Sequence, residues 1–218
     1  MHNADTSIRD AAGAHLRELR VIPVAVIHRL DQVEPTVTAL RDGGLPCIEI
    51  TFRTDVAAEA IRRASAIDGV LVGAGTLHDP AEAAAAAAAG AGFAVAPGLN
   101  EDVVAACQEA GLPFFPGIAT PSELERALAL GCQTVKVFPA EQLGGPAFIR
   151  SLAAVYRDVE FIPTGGINAR SAPSYLELDR VLAVAGSWVV ASSLLDRGCF
   201  DDVRSLAGEA AAMGTAPA

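Results

Sequence analysis

Short apolar runs recur along this chain at intervals of about 20–27 residues. They fall at 21–27, 47–51, 70–74, 92–96, 114–117, 134–138, 160–163 and 181–187. Their length, their β-branched and aromatic content and the Gly and Pro around them predict buried strands. Between them the pattern turns helical. Residues 31–41 open on Asp31 and stop before Gly43-Gly44. Residues 55–66 follow Thr54, which reads as an N-cap. Residues 81–89 lie between Asp79-Pro80 and Gly90, so the alanine run 83–89 reads as a tightly packed helix rather than low complexity. Residues 121–130 follow Thr120, with Pro121 at the first helical position and Glu123 completing a capping box. The segment 1–20, with Ala11, Ala14, Leu16 and Leu19 in apolar register, predicts a helix ahead of the first strand, and 213–218 reads as a frayed tail.

Eight strands alternating with helices imply a parallel sheet. At 218 residues, with no linker, they fit one domain: a single (β/α)8 TIM barrel preceded by a helix. An open doubly wound sheet is the alternative. Its dinucleotide fingerprint is incomplete, because Gly73-Ala-Gly75-Thr-Leu-His78 has two of three glycines and no helix directly after them.

Composition narrows the function classes. The chain is 51% apolar and 19% charged, which supports a core and excludes a disordered or fibrous protein. A net charge of −10 argues against a nucleic-acid partner. It leaves room for a small anionic substrate, since a few local cations can dominate a pocket. No apolar run reaches the roughly 18 residues of a membrane helix. Residues 1–10 are polar and lack the apolar centre of a signal peptide. Cys47, Cys107, Cys132 and Cys199 form no Cys-x-x-Cys pair and read as reduced thiols of a cytoplasmic protein.

One count changes the picture. Of 16 basic residues, 15 are arginine; the single lysine is Lys136, within a predicted strand. Arginine stays charged, whereas a desolvated lysine can lose its proton and act as a nucleophile. The alternative is a lysine snorkelling from a strand end, or an accident of usage. In a barrel, chemistry sits at the C-terminal ends of strands. There, alternation turns Ile48 and Ile50 towards the helices and Glu49 into the barrel, where a carboxylate needs a cation or a catalytic task. A structural ion pair with arginine or lysine would also satisfy it. Arg53 lies just beyond and could grip a carboxylate. The small residues of Val72-Gly-Ala-Gly75 open space at the end of the third strand, which Thr76 closes as a rim hydroxyl or a helix cap. Pro97-Gly98 and Pro116-Gly117 read as turns. Gly165-Gly166 follow the seventh strand and Gly186-Ser187 ends the eighth, the two places where barrels commonly cradle phosphate, although glycine pairs are also frequent in ordinary loops.

As a set, the motifs Glu-Ile-Thr-Phe-Arg-Thr, Val-Gly-Ala-Gly-Thr, Pro-Gly-Ile-Ala-Thr-Pro-Ser-Glu, Val-Lys-Val-Phe-Pro-Ala, Pro-Thr-Gly-Gly-Ile and Gly-Ser-Trp resemble the class I aldolases that cleave 2-keto-3-deoxy-6-phosphogluconate (KDPG) and 4-hydroxy-2-oxoglutarate (KHG). The resemblance runs from about 21 to about 201. It implies Lys136 as the Schiff-base lysine and Glu49 as general acid/base. Arg53 and Thr76 would bind the substrate carboxylate, Pro97 and Phe138 would line the substrate, and Thr164, Gly165, Gly166, Gly186 and Ser187 would hold phosphate. It also implies a homotrimer using no metal or other cofactor. The implied reaction yields pyruvate and glyceraldehyde 3-phosphate, with KHG or 2-keto-3-deoxy-6-phosphogalactonate as alternative substrates. An isomerase or synthase, or a non-enzymatic barrel binding phospho-sugar acids, are the other readings. The chain departs from the family at Phe52, Ala96, Ala119 and Val137. Phe52 and Val137 are expected against the helix layer, and Ala96 and Ala119 near the rim.

Overall fold

Successive strand residues turn to opposite faces, and in this chain both faces are apolar, so the sheet must be covered on both sides. Curling it into a barrel and ringing it with helices achieves this. The structure, a computed structural model, describes residues 12–214. Its strands are β1 (Val21–Ala25), β2 (Cys47–Thr51), β3 (Leu71–Gly75), β4 (Phe93–Val95), β5 (Phe114–Phe115), β6 (Gly117–Ile118), β7 (Thr134–Val137), β8 (Glu160–Pro163) and β9 (Val184–Gly186). They pair in the orders β5-β4-β3-β2-β1-β9 and β6-β7-β8, and each pair with a recorded register is parallel. β5 and β6 are halves of one stave interrupted at Pro116, whose carbonyl accepts from the Lys136 N–H at 2.9 Å. Bridges between Phe161 and Val181 and between Thr164 and Ala185 join β8 to β9. The result is the expected eight-staved (β/α)8 barrel.

The ring around it comprises α2 (Val33–Asp42), α3 (Ala57–Ser65), α4 (Pro80–Ala88), α5 (Glu101–Glu109), α6 (Pro121–Ala129), α7 (Gly145–Val155), α8 (Ala172–Leu176), α9 (Ser192–Asp196) and α10 (Phe200–Gly214). Two apolar layers result. Ile48, Ile50, Val135 and Val137 pack outward against helices. Ile22, Cys47, Phe93, Phe115 and Ile162 fill the barrel. A helix at 12–19, here α1, precedes β1, and its Ala12 and Leu16 join the inner cluster, plugging the N-terminal end of the barrel. Arg17 pairs with Glu160 at 2.6 Å, and Arg20 donates to the Leu176, Val181 and Leu182 carbonyls, which pins that plug. The expected helix at 1–20 is thus present from residue 12; residues 1–11 lie outside the described range.

Local chemistry explains where the elements differ from expectation. Thr54 does not cap α3: its hydroxyl donates to the Ile27 carbonyl at 2.7 Å, and α3 starts only at Ala57. α2 starts at Val33 after a 3₁₀ turn over Leu30–Gln32. The alanine helix is capped by Asp79, whose carboxylate accepts from the Ala81 N–H, with Glu82 closing the box. The Thr120–Glu123 box on α6 forms as expected. The eighth stave is shorter than 181–187, because Leu182 and Ala183 both turn into the inner cluster and break the alternation. α10 continues through Met213 and Gly214, so the tail cannot start before 215, and 215–218 lie outside the described range.

Candidate active site

With Val135 and Val137 turned outward, alternation points Lys136 into the barrel, and the same rule on β2 turns Glu49 inward between Ile48 and Ile50. The two side chains meet there. Lys136 Nζ lies 3.4 Å from Glu49 Oε1, a long contact at the limit of hydrogen bonding. Lys136 is 5% exposed and Glu49 1%. Glu49 Oε2 accepts from no described protein group. A buried carboxylate with an unused acceptor calls for explanation, and a proton-transfer role supplies one. Two residues earlier on the same face, burial and the nearby Glu49 charge push the Cys47 thiol well above its usual range, which keeps it from competing as a nucleophile.

Glycine makes the space. A Cβ on Gly75, in the strand beside β2, would lie 2.7 Å from Glu49 Cγ and 2.8 Å from Cδ, with Oε1 closer still. The motif pointed to small residues opening room there; only the structure shows that the room is filled by the Glu49 carboxylate.

Above this pair lies a rim of loops. Thr51 pairs with Gly75, and the Phe52 N–H donates to the Gly75 carbonyl at 2.8 Å, so Arg53 and Thr76 follow on neighbouring staves. Arg53 is exposed and makes no ion pair among the described residues. Thr76 is half-buried at φ 66°, a left-handed conformation costly for a threonine and concentrated at functional sites. It is not a helix cap; Asp79 is. Pro97 follows β4, and its carbonyl packs so close to Gly117 that a Cβ there would clash. Phe138 is 37% exposed after β7, with its ring against Gly165.

The two glycine loops meet through the Thr164–Ala185 bridge: Gly165 follows one partner and Gly186 the other. Thr164 is buried, its N–H donating to the Val137 carbonyl at 2.9 Å and its hydroxyl to the Ile162 carbonyl at 3.3 Å. Gly165 and Gly166 have φ of 101° and 79°, which only glycine adopts readily. Ser187 is exposed beside them, and Gly186 is held small by the Trp188 ring. Glu49 and Lys136 thus lie within β2 and β7, and the other candidate residues at or just beyond the C-terminal ends of the staves. Among the departures, Phe52 and Val137 pack in the outer layer as expected, and Ala119 is half-buried. Ala96 is buried in the outer layer too, so a hydroxyl there would face helices rather than the mouth. Sequence reasoning missed Glu141, which lies against Gly166, and Tyr175, which donates to Glu141 at 2.9 Å; neither carries a spacing signal, because one follows β7 and the other stands on α8. Among the described residues no group of three or more His, Cys, Asp or Glu could hold a metal ion. No helix there is long and apolar enough to cross a membrane.

A buried amine beside a carboxylate, at the mouth of a (β/α)8 barrel with a glycine cradle, defines the class of Schiff-base lyases. The comparisons name the family. The family described as "Aldolase: KDPG and KHG aldolase" matches residues 13–206. The 2-dehydro-3-deoxy-phosphogluconate aldolase of Treponema pallidum (strain Nichols) is 47% identical over 193 residues, 88% of this chain and 91% of that protein. The crystal structure of the Zymomonas mobilis ZM4 2-keto-3-deoxy-6-phosphogluconate aldolase with 3-phosphoglycerate superposes with TM-score 0.88 at 39% identity, covering 94% of this chain and 97% of that one. The Legionella pneumophila KDPG aldolase, with pyruvate captured at low pH as a covalent carbinolamine, gives TM-score 0.86 at 36% identity, covering 90% and 96%. This chain belongs to the KDPG and KHG aldolase family, and its activity is that of an aldehyde-lyase.

Proposed function

We propose that the chain cleaves 2-keto-3-deoxy-6-phosphogluconate into pyruvate and glyceraldehyde 3-phosphate through an imine on Lys136. The observation that carries this is the 3.4 Å pairing of buried Lys136 with Glu49, whose second oxygen accepts from no described group. Free-base Lys136 attacks the C2 ketone, and Glu49 relays the protons as the carbinolamine loses water to give the iminium. Glu49 then takes the proton from the C4 hydroxyl. The C3–C4 bond breaks, its electrons moving to C3 and into the iminium. The aldehyde leaves, and the enamine that remains takes a proton at C3. Hydrolysis of the resulting imine releases pyruvate and regenerates the amine. Arg53 and Thr76 bind the carboxylate; Pro97 and Phe138 line the substrate. Thr164, Gly165, Gly166, Gly186 and Ser187 hold the phosphate, whose charge suits the backbone N–H groups of such a cradle. The 3-phosphoglycerate in the Zymomonas relative and the carbinolamine in the Legionella relative support this reading. The family resemblance and the four thiols support a homotrimer working in the cytoplasm, which gel filtration with light scattering and fractionation test.

Incubation with pyruvate, borohydride reduction and intact mass measurement test the imine. The α-amino group is the only other primary amine, so Lys136→Arg is the control. No adduct on the wild type, or an equal adduct on Lys136→Arg, refutes the proposal. Glu49→Gln is expected to lower turnover about 10²–10⁴-fold while leaving slow imine formation.

A further inference from the structure

We propose that Tyr175 and Glu141 form a brace behind the glycine loop, holding Gly165 and Gly166 in the conformation that receives phosphate; this rests on the reading above that these glycines carry the phosphate. Both glycines sit at positive φ, and with no side chains they have nothing of their own to anchor them. Their fixed points come from outside. The Glu141 N–H donates to the Gly165 carbonyl at 3.2 Å, one residue after the Ala140 N–H donates to the Thr164 carbonyl at 2.8 Å. The Glu141 side chain then lies along Gly166: its Cβ and Cγ are each 2.8 Å from where a Cβ on that glycine would sit.

The far end of Glu141 is tied down in turn. Its Oε1 accepts from the Tyr175 hydroxyl at 2.9 Å. Tyr175 stands on α8, the first helix after the glycine loop, and is fully buried. Burial and the Glu141 carboxylate both push the phenol above its usual range, so it remains a donor at physiological pH. Glu141 lies five residues beyond Lys136, so the chain segment that carries the reacting amine also carries the tie to the glycine loop. A carboxylate beside an anion cradle would otherwise be unfavourable, since like charges repel. Its use is as an acceptor and a wall. Neither residue touches the reacting atoms in this scheme; both are positioning residues.

Steady-state kinetics of the wild type, Tyr175→Phe, Glu141→Ala and Glu141→Gln test the brace, with the phosphorylated keto acid as substrate. The rate of borohydride-trapped imine formation with pyruvate serves as the phosphate-free readout. Tyr175→Phe keeps the ring and loses only the hydroxyl, so the core stays filled. Loss of a hydrogen bond to a charged group predicts a KM for the phosphorylated substrate raised about ten-fold in Tyr175→Phe and Glu141→Ala. Their kcat and pyruvate imine rates should stay within about two-fold of wild type. Glu141→Gln preserves the acceptor and the wall and should retain a near-wild-type KM. A KM unchanged in Tyr175→Phe, or an equal loss in the imine rate, overturns the brace. If inorganic phosphate fails to compete with the phosphorylated substrate in the wild type, the phosphate reading itself falls, and the brace with it.

Discussion

Replacing Gly75 with alanine adds one methyl group at the place where the mechanism has least room. The new Cβ would sit 2.7 Å from Glu49 Cγ and 2.8 Å from Cδ, with Oε1 nearer still. Carbon atoms in ordinary contact are about 3.5–4.0 Å apart, so the carboxyl end must retreat by roughly 1 Å. Gly75 has no positive φ, so alanine meets no backbone penalty and the effect is steric. Glu49 is 1% exposed, so the added methyl meets it inside the barrel and not at the surface. A displacement of about 1 Å at a reacting group can cost on the order of 10²-fold in rate. Overpacking of this kind also destabilises by about 1–3 kcal/mol. Gly75→Ala should therefore fold, melt a few degrees lower and lose about 10²-fold in kcat, with pyruvate imine formation slowed rather than abolished. The assay is aldol cleavage followed by pyruvate release, alongside thermal denaturation. A folded Gly75→Ala protein with wild-type kcat would refute the argument that this glycine sets the Glu49 position.

Three further outcomes follow from the same geometry. Arg53→Ala removes an exposed cation expected to hold the keto-acid carboxylate, so KM should rise about 10–100-fold for phosphorylated and unphosphorylated substrates alike, in contrast to the brace variants. Glu123 accepts from the Ala119 and Thr120 N–H groups and the Thr120 hydroxyl, and these bonds, the Ala119 N–H first, hold its carboxyl below the usual carboxylate range. Its folded pKa is depressed, so its contribution is present above the unfolded value of about 4.3 and is lost as pH falls through the folded value; the Tm gap between wild type and Glu123→Ala should be open at pH 7 and close in acid. Gly208→Ala, within α10 and with its nearest outside atom, the Gly43 carbonyl oxygen, at 3.6 Å, should stabilise by about 0.5–1 kcal/mol with activity unchanged, measured by denaturant titration.

Much of the fold was legible because period and punctuation survive in sequence. The outward turn of Ile48, Ile50, Val135 and Val137, and hence the inward turn of Glu49 and Lys136, follows from alternation alone. Capping at Thr120 was legible because both partners of the box lie within one turn. Thr54 misled because a threonine before a helical stretch looks the same whether its hydroxyl bonds forward into the helix or back to Ile27, a partner 27 residues earlier. Local pattern cannot weigh such a partner. The end of the barrel misled for a related reason: Leu182 and Ala183 are both apolar, and nothing in the chain marks that both turn inward.

The candidate site divides along the same line. Lys136 stood out because it is the one lysine among 16 basic residues, yet its usefulness depends on a carboxylate 87 positions away. Gly75 looked like a small residue leaving open space, and its neighbour across β2–β3 shows that space to be occupied. Glu141 and Tyr175 carry no motif between them, since the distance from one to the other is set by how α8 returns over the β8 loop. Residues whose chemistry is intrinsic, such as an amine or a carboxylate, can be proposed from sequence. Residues that act by excluding or bracing another group acquire a role only from what the fold places beside them. The Gly75→Ala and Tyr175→Phe variants separate these two kinds of dependence: one should move kcat by displacing Glu49, the other KM by loosening the glycine loop.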